Sequence, residues 1–89
     1  MGFNRSTWQK GQKVMVTSRH HEVNRQINGV WQKKYAKVIG VVHTPLQNNP
    51  QVVIDLGAYK ESYWDEEVSL YAGPLTVGTR IDPFTGQVI

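Results

Sequence analysis

The 89-residue chain contains no cysteine. Disulfides, thiolate metal ligands and a cysteine nucleophile are therefore excluded. This fits a reducing compartment, and a cytoplasmic location is the expectation. No apolar run approaches the roughly 20 residues that cross a bilayer as a helix, so no membrane partner is expected. The opening Met1-Gly2-Phe3-Asn4-Arg5-Ser6 lacks the apolar stretch of a secretory leader and satisfies only the short, degenerate myristoylation pattern. Ser6, Ser18, Ser62 and Ser69 stand in no nucleophile motif, and no glycine-rich phosphate loop is present. Acids are scarce in the first forty residues, where Glu22 alone faces eight lysines and arginines. The remainder reverses this, with Lys60 and Arg80 against six acids. A chain with one basic and one acidic half steers a polyanion or an acidic partner, or pairs with its own copy.

What is present reads as one small β domain. Residues 1–10 form an arm, with Trp8 as its anchor. Lys13 to Ser18 alternates, with Val14 and Val16 on one face and Met15 and Thr17 on the other, as in a half-buried strand. Arg19 to Lys34 would be an unusually long loop without structure of its own. Two structures suit it. Val23, Ile27 and Trp31 recur at helical spacing, but a helix would enclose Asn28-Gly29, and glycine there costs about 1 kcal/mol. As a β-hairpin, the same pair supplies the positive φ angles of a type I′ turn. The turn chemistry favours the hairpin. Val23, Arg25, Ile27, Val30, Gln32 and Lys34 then share one side, and Asn24, Gln26, Trp31 and Lys33 the other.

Tyr35 to His43 reads as a second strand, with Gly40 marking a bulge or sharp bend. A polar loop runs from Thr44 to Pro50. Gln51 to Leu56 is a third strand with Val52, Ile54 and Leu56 inward. Gly57-Ala58 makes a tight connection to a fourth strand, Tyr59 to Trp64. Asp65-Glu66-Glu67 suits one helical turn, and Val68 to Tyr71 a fifth strand. Residues 72–89 form a C-terminal hairpin or tail. Its turn is Asp82-Pro-Phe-Thr-Gly86, and its arms are Thr79–Ile81 and Gln87–Ile89.

The order strand, long hairpin loop, strand, loop, strand, tight turn, strand, helical turn, strand resembles the small five-stranded SH3-like barrel. The Gly11-Gln-Lys-Val-Met-Val16 opening and the Asp65-Glu-Glu-Val-Ser-Leu70 close are similar to those of its KOW and Tudor-like versions. The resemblance is one of architecture, covers roughly residues 8–71 and implies a barrel over 11–71. A signalling-type proline-peptide groove needs an acidic first loop, and this one is basic.

Three constellations bear on chemistry. His20-His21-Glu22 with His43 is the only metal-like set. Neighbouring side chains on an extended segment point to opposite sides, so His20 and His21 are expected to be surface residues sharing no ion. Asp65-Glu66-Glu67 with Glu61 reads as solvated turn-capping acid rather than a catalytic pair. Neither a metal nor a cofactor is implied, and the chain is expected not to be an enzyme. The third constellation is the basic one. Arg19, Arg25, Lys33, Lys34 and Lys37, interleaved with Trp31 and Tyr35, combine phosphate-neutralising cations with flat faces for unpaired bases. Arg19, Arg25, Trp31, Lys33, Lys34 and Lys37 are the candidate nucleic-acid contacts. Tyr59, Tyr63 and Trp64 form a second aromatic cluster, expected to serve the core. Trp8, Arg80 and Phe84 are candidate contacts to a protein partner. The alternative to a nucleic-acid module is an adaptor, inhibitor or assembly subunit that binds an acidic protein surface or self-associates through the C-terminal hairpin.

Overall fold

A computed structural model describes residues 8–45 and 50–89. The first seven residues, with most of the expected arm and the myristoylation pattern, lie outside the described residues, as does the middle of the 44–50 loop. Six strands account for the architecture: β1 (Lys13–Ile27), β2 (Val30–Pro45), β3 (Gln51–Asp55), β4 (Lys60–Trp64), β5 (Val68–Leu70) and β6 (Arg80–Ile81). A 3₁₀ turn over Asp65–Glu67 joins β4 to β5. All pairings are antiparallel, in the order β4-β3-β2-β1-β5, and β6 adds to β2 at Lys37 and Val38. The chain is all-β. The five expected strands are present, but the sheet is not closed by pairing of β4 with β5, and a sixth strand joins it. None of the described helices is long and apolar enough to cross a membrane.

The core follows from alternation. Val14 and Val16 of β1, Val38 and Val42 of β2, Val52 and Ile54 of β3, Tyr63 of β4 and Val68 of β5 form one buried cluster with Leu56. Without a helical layer, a single sheet can bury one face only by curling. The cluster does join Tyr63 and Val68, from opposite ends of the strand order. Trp8 packs against this cluster, and its indole N–H donates to Asp65 Oδ1 at 3.0 Å.

Two register features shape everything else. Between Thr17 and Glu22, β1 bulges against β2: Thr17 pairs with Lys37, yet Glu22 pairs with Tyr35. An odd number of extra residues reverses which face each later residue takes. Burial accordingly shifts from Val14, Val16 and Ser18 to His21, Val23, Arg25 and Ile27. Past the bulge the strands continue to a two-residue turn, with Ile27 opposite Val30 and Gln26 opposite Trp31. Asn28 and Gly29 have φ of 52° and 81°, the left-handed pair a type I′ turn requires. The segment is thus a hairpin and not a helix. The molecule measures 45 × 29 × 21 Å. At about 3.3 Å per residue, β1 alone spans a length of that order.

The bulge expected at Gly40 is not there. Gly40 pairs in register with Val14, and the shift in β2 against β3 falls between Val42 and Thr44. Gly40 serves close packing instead. A Cβ there would lie 2.4 Å from Ile54 Cγ2 and 3.0 Å from the Asp55 carbonyl oxygen.

Candidate nucleic-acid interface

On β2 the alternation places Trp31, Lys33, Tyr35 and Lys37 on one face, and all four are exposed. Trp31 is 69% exposed, although it is among the largest apolar side chains of the domain. Successive members of this row lie about 6.6 Å apart. Aromatic and cation therefore alternate along this face of β2. Nearby, Arg19 and Thr17 of β1, Tyr35 of β2, and Trp64, Glu66 and Glu67 line a shallow groove. The face is not uniformly basic. Glu22 lies 3.9 Å from Lys33 Nζ and accepts a hydrogen bond from Asn24.

The opposite face of the hairpin is occupied by the C-terminal segment. Ile81 bridges to Val88, and Asp82 N–H donates to the Gln87 carbonyl, so residues 80–89 do form the expected small hairpin. It docks on the molecule itself. Asp82 Oδ2 accepts from Arg25 Nη1 at 2.8 Å. The Phe84 ring lies 4.9 Å from the Arg25 guanidinium carbon and 5.1 Å from Lys34 Nζ. The Phe84 backbone N–H above all, and then Arg25, hold the Asp82 carboxyl below the usual carboxylate range.

The six candidate nucleic-acid contacts therefore divide. Arg19, Trp31, Lys33 and Lys37 lie on the open side together with Tyr35 and Trp64. Arg25 and Lys34 face Phe84. The three candidate partner contacts all touch their own chain. Trp8 packs on the core, Phe84 on the hairpin, and Arg80 reaches His21.

Under the bulge lies a polar network that the sequence reading did not expect. His21 is only 4% exposed. The Tyr63 hydroxyl donates to Glu61 Oε1 at 2.6 Å. Its oxygen therefore accepts from His21 Nε2, at 2.7 Å. Arg80 donates to His21 Nδ1 at 3.3 Å. His20 Nδ1 lies 3.0 Å from Glu61 Oε2. His20 is exposed, as expected, but His21 is not a surface residue, and the bulge brings both to the Glu61 carboxylate, because alternation fails where the strand is not regularly paired. Burial, with Arg80 second, lowers the His21 pKa. Burial, with the bond to Glu61 second, raises that of Tyr63. Ser18, also buried, donates to Glu67 Oε2 at 2.7 Å, and Glu67 Oε1 accepts from the Trp64 N–H at 2.9 Å. No group of three metal-ligating side chains suited to an ion occurs among the described residues. In the second aromatic cluster Tyr63 is core, whereas Tyr59 and Trp64 are exposed.

Compared with protein-family models, with curated proteins and with solved structures, the chain matches none.

Proposed function

We propose that this chain is a non-enzymatic binding module that holds single-stranded nucleic acid on the open face of its long hairpin. The observation that carries this reading is the exposure of Trp31 in line with Lys33, Tyr35 and Lys37. An indole folded onto the core would leave the hairpin without a stacking surface. An exposed one, between cations, offers what unpaired bases and their phosphates need. The spacing bears on the strand state. Bases in a duplex follow one another every 3.4 Å or so along each strand, half the spacing of this row. A chain with separated bases suits the row better.

We read the domain as SH3-like, with the 11–71 segment as its body. The strand order, the long first hairpin, the tight β3–β4 connection and the 3₁₀ turn before β5 support that reading. The alternative, a protein-interaction module, draws on the unpaired outer edges of β4 and β5, which could accept a partner strand.

Labelled oligonucleotides titrated at two or more salt concentrations test the proposal. Single strands bind in the micromolar range. Three cations, Arg19, Lys33 and Lys37, give a slope of log K on log salt of about −2. Trp31→Ala weakens binding on the order of tenfold, the loss of one stacked base. Absence of salt-sensitive binding, together with association that grows with protein concentration, would favour the protein-interaction reading.

A further inference from the structure

The acids beside the open face need an explanation if that face holds a polyanion. Glu66 and Glu67 line the groove next to Arg19, Tyr35 and Trp64. A phosphate would be repelled there. A base is a different matter, because its edge carries N–H donors that a carboxylate accepts.

The two glutamates are not equivalent. Both oxygens of Glu67 already accept hydrogen bonds, from Ser18 and from the Trp64 backbone. The Glu66 carboxylate has no hydrogen bond or ion pair among the described residues, and the residue is exposed. The aromatic walls are accessible too, Tyr35 at 38% and Trp64 at 43%. The groove encloses about 400 Å³, a volume ordinary for a small-ligand cleft.

Resting on the nucleic-acid reading above, we propose that this groove takes one unpaired guanine. Tyr35 and Trp64 offer aromatic surface to the base, and the Glu66 carboxylate accepts the donors on its pairing edge. Guanine presents an imino N–H beside an amino group, two adjacent donors for the two oxygens of one carboxylate. Adenine and cytosine present a single amino group beside an acceptor nitrogen. Thymine and uracil flank their one N–H with carbonyl oxygens that a carboxylate repels. Arg19 fits the same arrangement, since it can neutralise the phosphate of the seated nucleotide. It also argues against the other ligand an aromatic groove with a carboxylate could hold, an alkylated ammonium, because that would meet the guanidinium.

The test uses the full chain and labelled thymine strands that carry a single central guanine, inosine, adenine or thymine, at one fixed salt. Binding by anisotropy is expected to favour guanine at least tenfold over adenine or thymine. Inosine, which lacks the amino group, falls between. Glu66→Gln removes the preference for guanine and raises affinity for the all-thymine strand, because the repulsion of that strand's phosphates and carbonyls is lifted, with circular dichroism checking the fold. Trp31→Ala weakens all four strands by the same factor. Equal affinity for the four strands, or a guanine preference that survives Glu66→Gln, overturns the guanine site while Trp31-dependent binding still upholds the module. A trimethyl-lysine peptide that competes for the groove also overturns it. Failure of every strand to bind removes both readings.

Discussion

Arg80 donates to Nδ1 of the buried His21, and that bond assigns the imidazole proton to Nε2. The ring is held neutral, with Tyr63 accepting on one side and the guanidinium donating on the other. A second proton has no acceptor at Nδ1 and would face the Arg80 charge. The other charged groups around the ring are His20, Glu61 and Glu67; the two glutamates favour protonation, and burial with Arg80 outweighs them.

His21 therefore makes the domain acid-sensitive. Its native pKa lies below the ordinary 6.5, so between those two values the unfolded chain binds the proton and the native one does not. Stability owed to this group is intact above pH 6.5 and falls as the pH drops below it, by at most about 1.4 kcal/mol per pH unit. The fall levels off below the native pKa. Urea unfolding from pH 5 to 8 on the wild type and on His21→Gln measures it. The wild type loses stability on acidification relative to the variant, and a difference that stays flat or changes sign would show that the ring is not held neutral.

Phe84 fastens the C-terminal hairpin to the back of the long one. Phe84→Ala removes the ring from Arg25 and Lys34 and costs about 1–2 kcal/mol, from two cation–π contacts and lost apolar burial. Oligonucleotide affinity should hold or increase, because two cations lose their internal cover. A loss of affinity without loss of stability would instead make Phe84 a ligand contact.

Gly40 permits β2 and β3 to pack closely. Gly40→Ala places a methyl against Ile54 and the Asp55 carbonyl, and the backbone atom cannot rotate away. The expected cost is about 1–3 kcal/mol. Thermal melting should show a drop of several degrees, at about 4–8 °C per kcal/mol in a domain of this size. An unchanged melting temperature would mean that the strands separate freely at this point.

The hairpin turn is tuned by two residues in the left-handed region, Asn28 and Gly29. Gly29→Ala should destabilise by about 1 kcal/mol, and Asn28→Gly by much less. The affected variant should also bind single strands less tightly if the row from Trp31 to Lys37 depends on the turn. Amide exchange over residues 23–34 locates the effect.

How far the sequence could be read depended on whether a residue's role was local. Val14, Val16, Val52, Ile54 and Leu56 were legible from alternation alone, and all are buried. Asn28-Gly29 named its own turn. His21 and Arg80 were not legible, since their roles come from a bulge and from a tail that returns after some sixty residues. Gly40 was legible as special but not in kind, since a strand glycine marks either a bulge or a close approach. In the candidate site, the alternation of Trp31, Lys33, Tyr35 and Lys37 was visible. The hairpin register also set Arg25 and Lys34 on the face opposite Trp31 and Lys33. What was not visible is that Phe84 and Asp82 cover Arg25 and Lys34, because they reach them only through the docked tail.

The sequence by itself determined a β-rich chain and a charge split between its halves, and favoured a basic hairpin over a helix. Those follow from periodicity, turn chemistry and composition, which act between neighbours. The tertiary structure alone decided which face of the hairpin stays open, that Trp31 is not folded down, and that Glu66 stands beside Tyr35 and Arg19. These depend on an odd-numbered bulge that swaps the faces of β1 and on a tail that covers one of them. Both bring together residues far apart along the chain, which no local pattern can specify.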